Sequence, residues 1–437
     1  MVAPAFRRKG LLRLSWPLLL VTVFTLLATL GNVILLSMAS PELNAAVATG
    51  NQVLGIVYDI SVVFSLGGLV VIAQLLGAGE FGAAGRSATL ALRAALVLGV
   101  VLAAGIAALA PVLVDAVRTP PELVADAVTY LLVVAGGLFF NAYVVTASAV
   151  LRAYGRTVAL LVLGVLVNVL DVGLLAVCLL VLDLGVVGAA LPTLVVRGAG
   201  MLLLWWLVRR ATGVRVFGRL PAGVPGQAGP ARMAALSLPT VVENAVYNGA
   251  IVFAVTMLNP LGTDTINARS YALTLTALVT GVILALAQGN ETIVGWDVGE
   301  GRRAAARRLT LRTAGWTAAS AAVLTLALWA GADTLLSLFG PNEQVLAQAR
   351  GALLISVVLL PLSAATAVLY GALRSASDVT MPMVYSVASS ALVLVPLSWL
   401  LVGVVGLGLA GAFWALVAAE AVKAALLLGR WLAGSRS

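Results

Sequence analysis

One pattern is written twice along this chain. Leu14-Ser15-Trp16-Pro17 recurs as Leu236-Ser237-Leu238-Pro239, and Gly77-Ala78-Gly79 recurs as Gly299-Glu300-Gly301, each displaced by 222 residues. Leu151-Arg152 returns as Leu373-Arg374. After one extra residue, Leu184-Gly185-Val186-Val187-Gly188-Ala189 returns as Leu407-Gly408-Leu409-Ala410-Gly411-Ala412. Landmarks that keep order and spacing over such a distance mark an internal repeat. Each half holds six apolar runs, so the chain must fold as the same unit built twice.

The runs lie at about 12–38, 51–76, 87–113, 123–149, 158–181, 185–208, 233–258, 267–295, 311–338, 347–373, 380–402 and 407–430. A helix needs roughly 20 apolar residues to cross a bilayer, and all twelve are long enough. With 62% hydrophobic and only 10% charged residues, a soluble core is excluded and lipid is the solvent. The expected fold is an all-α integral membrane protein with twelve spans. Residues 1–208 form a first lobe, 209–232 a cytoplasmic linker, and 233–437 a second lobe.

A net charge of +9 would suggest nucleic acid in a soluble protein, but here its distribution carries the meaning. Arg7, Arg8, Lys9 and Arg13 precede the first span, and Arg209, Arg210, Arg215, Arg219 and Arg232 surround the central loop. Arg302, Arg303, Arg307, Arg308 and Arg312 follow the eighth. All of these fall on one side. The other side carries Arg118, Arg269 and Arg350 against Glu42, Asp115, Glu122, Asp126, Asp183, Asp264, Asp333 and Glu343. The positive-inside rule puts both termini in the cytoplasm of a cell whose plasma (inner) membrane holds the chain. Six spans per half then give parallel repeats. The basic run from Gly301 to Arg308 fits orientation and anionic lipid headgroups. The first apolar run exceeds the core of a signal peptide and reads as a retained span.

Two absences exclude whole classes. The chain has no histidine, which removes most metal sites and histidine-based nucleophile triads. Its only lysines, Lys9 and Lys423, follow Arg8 and Val422, so no Gly-Lys phosphate loop exists. No enzyme and no cofactor is expected, and uphill work would need an ion gradient sensed by acids within the spans. The single cysteine, Cys178, reads as a small apolar filler.

Five acids lie inside spans: Asp59, Asp171, Glu243, Glu291 and Glu420. Each costs about 3 kcal/mol at a helix centre and should face a cavity or a partner. Asp171 lies about fourteen residues into the fifth span, roughly 20 Å deep and near the midplane; ion or substrate binding and a hydrogen bond to a neighbouring helix both fit it. Asp59 would meet Asn32 or Asp171 if the second span turns that face inward. Glu243 and Tyr247 share a helix face at i and i+4, and with Asn248 they form a candidate cavity lining. Gln288, Asn290 and Glu291 make a polar patch for which a gate, a helix contact and ligand binding are all open. Glu420 has Lys423 at i+3 and Arg197 as its repeat equivalent; these three read as a structural ion-pair set. Pro17 and Pro239 kink the first helix of each repeat, either as gates or as fixed bends. Trp205, Trp206, Trp296, Trp399 and Trp431 read as interfacial anchors.

Several ordered motifs together make the chain similar to the multidrug and toxic compound extrusion (MATE) family. They are Pro17 and Pro239, the run Gln74-Leu75-Leu76-Gly77-Ala78-Gly79, the Leu-Arg turns before the fifth and eleventh spans, Asn168 with Asp171, and the Leu-Gly-x-x-Gly-Ala motifs. The resemblance implies two six-helix lobes forming a V around a cavity that opens to either side alternately. It implies a secondary antiporter that exports organic cationic or drug-like amphipathic compounds against H+ or Na+. Its partners would be a small-molecule substrate and membrane lipids, with no nucleic acid and a monomeric state. The coupling set would be Asp171, Asn168, Asp59 and Asn32. The family's first-helix aspartate is replaced here by Asn32, its Asn and Asp stand three rather than four residues apart, and Tyr247 occupies a common glutamate position. A lipid or lipid-linked glycan flippase of the same wider superfamily is the alternative.

Overall fold

A computed structural model describes residues 8–116, 121–217, 229–337 and 342–434. The readings on Arg7, Arg118 and Arg219, on the side chains of Glu42 and Glu122, and on the middle of the 209–232 linker lie outside the described residues. Twelve helices are long and apolar enough to cross a membrane: α1 Leu11–Ala39, α2 Val57–Gly77, α3 Phe81–Asp115, α4 Val124–Ala153, α5 Thr157–Val181, α6 Gly185–Thr212, α7 Pro230–Leu261, α8 Thr263–Gly299, α9 Arg303–Ala330, α10 Glu343–Ser375, α11 Thr380–Val404 and α12 Gly408–Ala433. Among the described residues all regular structure is helical. This is a multi-pass membrane protein.

The chain divides into two compact units, Met1–Leu238 and Pro239–Ser437. Contacts thus divide the chain inside α7, after Leu238. The reason is local. Gly67 of α2 lies so close to the Met233 carbonyl that no Cβ would fit, and its N–H donates to Ser237 Oγ at 2.7 Å. The first turns of α7 are thus packed into the first unit, up to the residue before Pro239. The start of the linker is also folded rather than free. Gly213 ends α6 in the left-handed region (φ 71°), Val214 and Val216 are buried, and Arg93 Nε donates to the Val216 carbonyl at 2.6 Å.

The packing around the central helix repeats: α4 packs on α2, α3 and α6 in the first unit, and α10 packs on α8, α9 and α12 in the second. In addition α1 packs on α5, and α11 on α12. α4 and α10 are the central helices, with Leu131, Val134 and Leu138 buried in one core and Ala349, Ala352 and Leu353 in the other. Small residues at such contacts let helix backbones approach closely. The outer faces are as apolar as the cores: Val101, Val162, Leu202, Val323 and Leu392 are all exposed. In water that would be untenable; in lipid it is expected.

The duplicated sequence landmarks turn out to be helix ends. After α2, Gly79 takes φ 79° while the Glu80 N–H donates to the Leu75 carbonyl. After α8, Gly301 takes φ 80° while the Arg302 N–H donates to the Asp297 carbonyl. Both satisfy carbonyls left open at a helix terminus, with a residue in a conformation that glycine tolerates best. α5 and α11 each span 25 residues, so the one extra residue of the second repeat falls in the turn before α11. Both helices end in a π-helical turn, Val177–Val181 and Trp399–Val404. α11 has a second one, Ser390–Leu394, without a counterpart in α5.

Two expectations about tryptophan are overturned. Trp296 and Trp431 are buried, not interfacial; Trp431 fills space between converging helix ends in a cluster with Val294, Leu373 and Leu427. Trp206 and Trp399 are exposed as expected of anchors, with Arg210 over the Trp206 ring.

Candidate functional site

In the first unit, polar side chains from five helical segments meet within the apolar zone. Asp171, midway along α5, accepts a 2.8 Å hydrogen bond from Asn32 Nδ2 of α1. One turn earlier, Asn168 does not bond Asp171; its Nδ2 donates to Thr25 Oγ1 of α1 at 3.1 Å. The i, i+3 spacing sets both residues on the side of α5 that faces α1. Arg197 of α6 lies with its guanidinium carbon 4.7 Å from the centroid of the Tyr58 ring, within electrostatic reach of Asp171. Tyr130 of α4 donates to Asn51 Oδ1 at 3.1 Å.

Asp171 has no ion-pair partner among the described residues, so its contact with Arg197 is through space. Two buried atoms in this cluster, Asn32 Oδ1 and Arg197 Nη1, lack any hydrogen-bond partner. Such atoms are costly unless water, an ion or a ligand meets them. Tyr58, Tyr130 and Asn51 were not picked out from sequence. Tyrosines in apolar runs look like core residues, and only the packing of α2, α4 and α6 brings these together. Asp59, adjacent to Tyr58, is partly buried; the residue of α2 that meets Arg197 is Tyr58.

The second unit holds its acids differently. Glu420 of α12 receives Lys423 Nζ at 2.6 Å and the Thr366 hydroxyl at 2.7 Å, and Lys423 also lies 5.2 Å from the Tyr247 ring centroid. Arg197, grouped with this pair on sequence, takes no part in it: its aromatic partner Tyr58 is in its own repeat. Glu243 accepts from Ser386 Oγ of α11 at 2.6 Å, while Asn248 is exposed further along α7.

Of the readings open for the polar patch on α8, the structure shows helix contacts. Glu291 is bound by Arg374 Nε at 2.8 Å, and its own carbonyl accepts from Ser375 Oγ. Asn290 is fully buried and donates to Thr310 Oγ1 at 3.5 Å. Both tie α8 to its neighbours, because Arg374 in the last turn of α10 reaches that face. Gln288 is partly buried beside them. Pro17 and Pro239 both lie inside continuous helices.

Two six-span repeats with charged and polar side chains buried among the spans define a membrane transporter rather than an enzyme. The MatE family model matches this chain twice, over residues 17–177 and 239–400, once in each half, and the chain belongs to that family. It is 23% identical to the uncharacterized transporter YisQ of Bacillus subtilis (strain 168), over 98% of this chain and 95% of the relative. It is 28% identical to the probable multidrug resistance protein NorM of Deinococcus radiodurans, over 98% and 96%. Among solved structures, an outward-facing multidrug resistance MATE family transporter superposes with a TM-score of 0.90 at 21% identity, covering 98% of this chain and 96% of the other. A mutant of the Vibrio cholerae MATE transporter VcmN gives 0.91 at 17% identity, covering 98% and 96%.

Proposed function

We propose that this transporter exports amphipathic, organic cationic compounds in exchange for H+ or Na+ entering the cell, and that Asp171 is the acid that couples the two. The observation that carries the reading is the Asn32–Asp171 hydrogen bond near the midplane, with no direct ion pair to fix the carboxylate's charge. A carboxylate accepts from the Asn32 amide nitrogen; a protonated acid can donate to the Asn32 amide oxygen after the amide turns over. Asn32 thereby serves both states, as an aspartate at its position would not. Unoccupied Asn32 Oδ1 and the Asp171 carboxylate also present two oxygens to a cation. Occupation of this site by H+ or Na+ would favour one state of the alternating-access cycle and substrate the other, which is the coupling required of an antiporter. Asn168 and Asp59 support the site from α5 and α2, and Glu243, Tyr247 and Asn248 line the substrate path. The arginine distribution supports a place in the plasma (inner) membrane with both termini cytoplasmic.

The test is flux in proteoliposomes under an imposed pH gradient and, separately, a Na+ gradient, with a panel of fluorescent organic cations. Wild-type protein should dissipate one gradient when substrate is added, and Asp171→Asn should not. Full gradient-driven export by Asp171→Asn would sink the assignment. Failure with every cation, together with movement of a labelled lipid between leaflets, would favour the flippase.

A further inference from the structure

The second unit carries a cavity of about 390 Å³ at the arginine-rich ends of its helices, lined by Arg303 and Arg307 of α9, Asp378 and Leu373 at the α10–α11 turn, and Arg430 and Trp431 of α12. We propose that it is a binding site for the phosphate group of an anionic membrane lipid.

Charge supports this first. Arg430 is committed to Asp378 at 2.7 Å, but Arg303 and Arg307 have no ion-pair partner among the described residues. Both stand in the first turns of α9, where the open N–H groups of a helix start also favour an anion. A second observation is independent of charge: Trp431 is only 8% exposed, and its indole Nε1 is buried without an acceptor. A buried donor beside uncompensated guanidinium groups suits phosphate oxygens.

The repeat supplies an internal control. The counterparts of Arg303, Arg307 and Arg430 in the first half are Phe81, Gly85 and Leu207, so this helix arrangement forms without the arginines. They are specific to the second half. A lipid rather than free phosphate is indicated by the cavity's position at the ends of spans and by its apolar wall of Leu373 and Val298. Basic pockets between spanning helices hold anionic headgroups in this way.

The full-length protein in detergent, titrated with a fluorescent cardiolipin, provides the test. Arg303→Ala with Arg307→Ala should weaken binding about thirtyfold, and Arg307→Gln alone about fivefold. Arg308→Ala, an exposed neighbour outside the cavity, should change it by less than about twofold. Unlabelled cardiolipin should displace the probe, whereas phosphatidylcholine and millimolar inorganic phosphate should not. The melting temperature in lipid-free detergent checks that the variants fold; if the alanine pair does not, Arg307→Gln decides. Unchanged binding in that variant, an equal loss in Arg308→Ala, or displacement by phosphatidylcholine or by inorganic phosphate would each overturn the proposal.

Discussion

In the first half, Asp171 meets an amide across the α1–α5 contact, and the nearest cation, Arg197, is turned onto a tyrosine ring. In the second half, Glu291 is fixed by Arg374, Glu420 by Lys423 and Thr366, and Glu243 by Ser386, all at 2.6 to 2.8 Å. The packing around the central helix is shared, and the two halves differ sharply in what they do with charge. Separating a buried carboxylate from a cation paired directly with it is expensive. Glu291 and Glu420 are braced in this way, and Asp171 has only an amide to leave.

The contrast can be broken most directly at Asp171. Asp171→Asn should abolish gradient-driven export, by about a hundredfold or more in initial rate, while elution volume and melting temperature stay near wild type. Asn32→Ala should weaken coupling about tenfold, through loss of one hydrogen bond to a charged group. The brace is probed by Glu291→Ala, which strands Arg374 in a buried site and should destabilise the second unit by about 3–5 kcal/mol, read as lost yield and a lower melting temperature. If Glu291→Ala instead stays folded and loses only transport, the brace reading fails. A smaller loss, about 1–3 kcal/mol, is expected for Gly67→Ala, whose new methyl must push the Met233 backbone away from α2. Smallest of all is Arg350→Ala. Its 2.6 Å pair with Asp333 is substantially exposed on both sides, so thermal melting should register less than about 1 kcal/mol.

Much of this architecture was legible in the sequence. The twelve spans follow from apolar length, and their ends from Gly79 and Gly301, which sit where a helix must be closed. The candidate site was half legible. A carboxylate at mid-span, such as Asp171, stands out because burial makes it costly; its bond to Asn32 was not legible, because it depends on which faces α1 and α5 turn to each other. Tyr58, Tyr130 and Arg197 could not be assembled in advance, since their meeting depends on how α2, α4 and α6 rotate against one another. For the same reason the roles open to Glu291 could not be decided: its partner Arg374 is 83 residues away in sequence. Trp296 and Trp431 misled because nearness to a span end does not reveal whether a ring faces lipid or a neighbouring helix. The unit boundary at Pro239 was hidden too, because only the close approach of Gly67 to Met233 assigns the preceding turns of α7.

The paired π-helical turns at the ends of α5 and α11 also place the same irregularity in each half. Wider i→i+5 turns are rare and interrupt the regular α-helical ladder, so the last turn of the fifth helix in each repeat departs from the winding of the turns before it. α11 departs a second time, at Ser390–Leu394, although its length matches that of α5. The stretch of α11 that corresponds to the one carrying Asp171 is therefore wound differently, with Leu394 at the equivalent position.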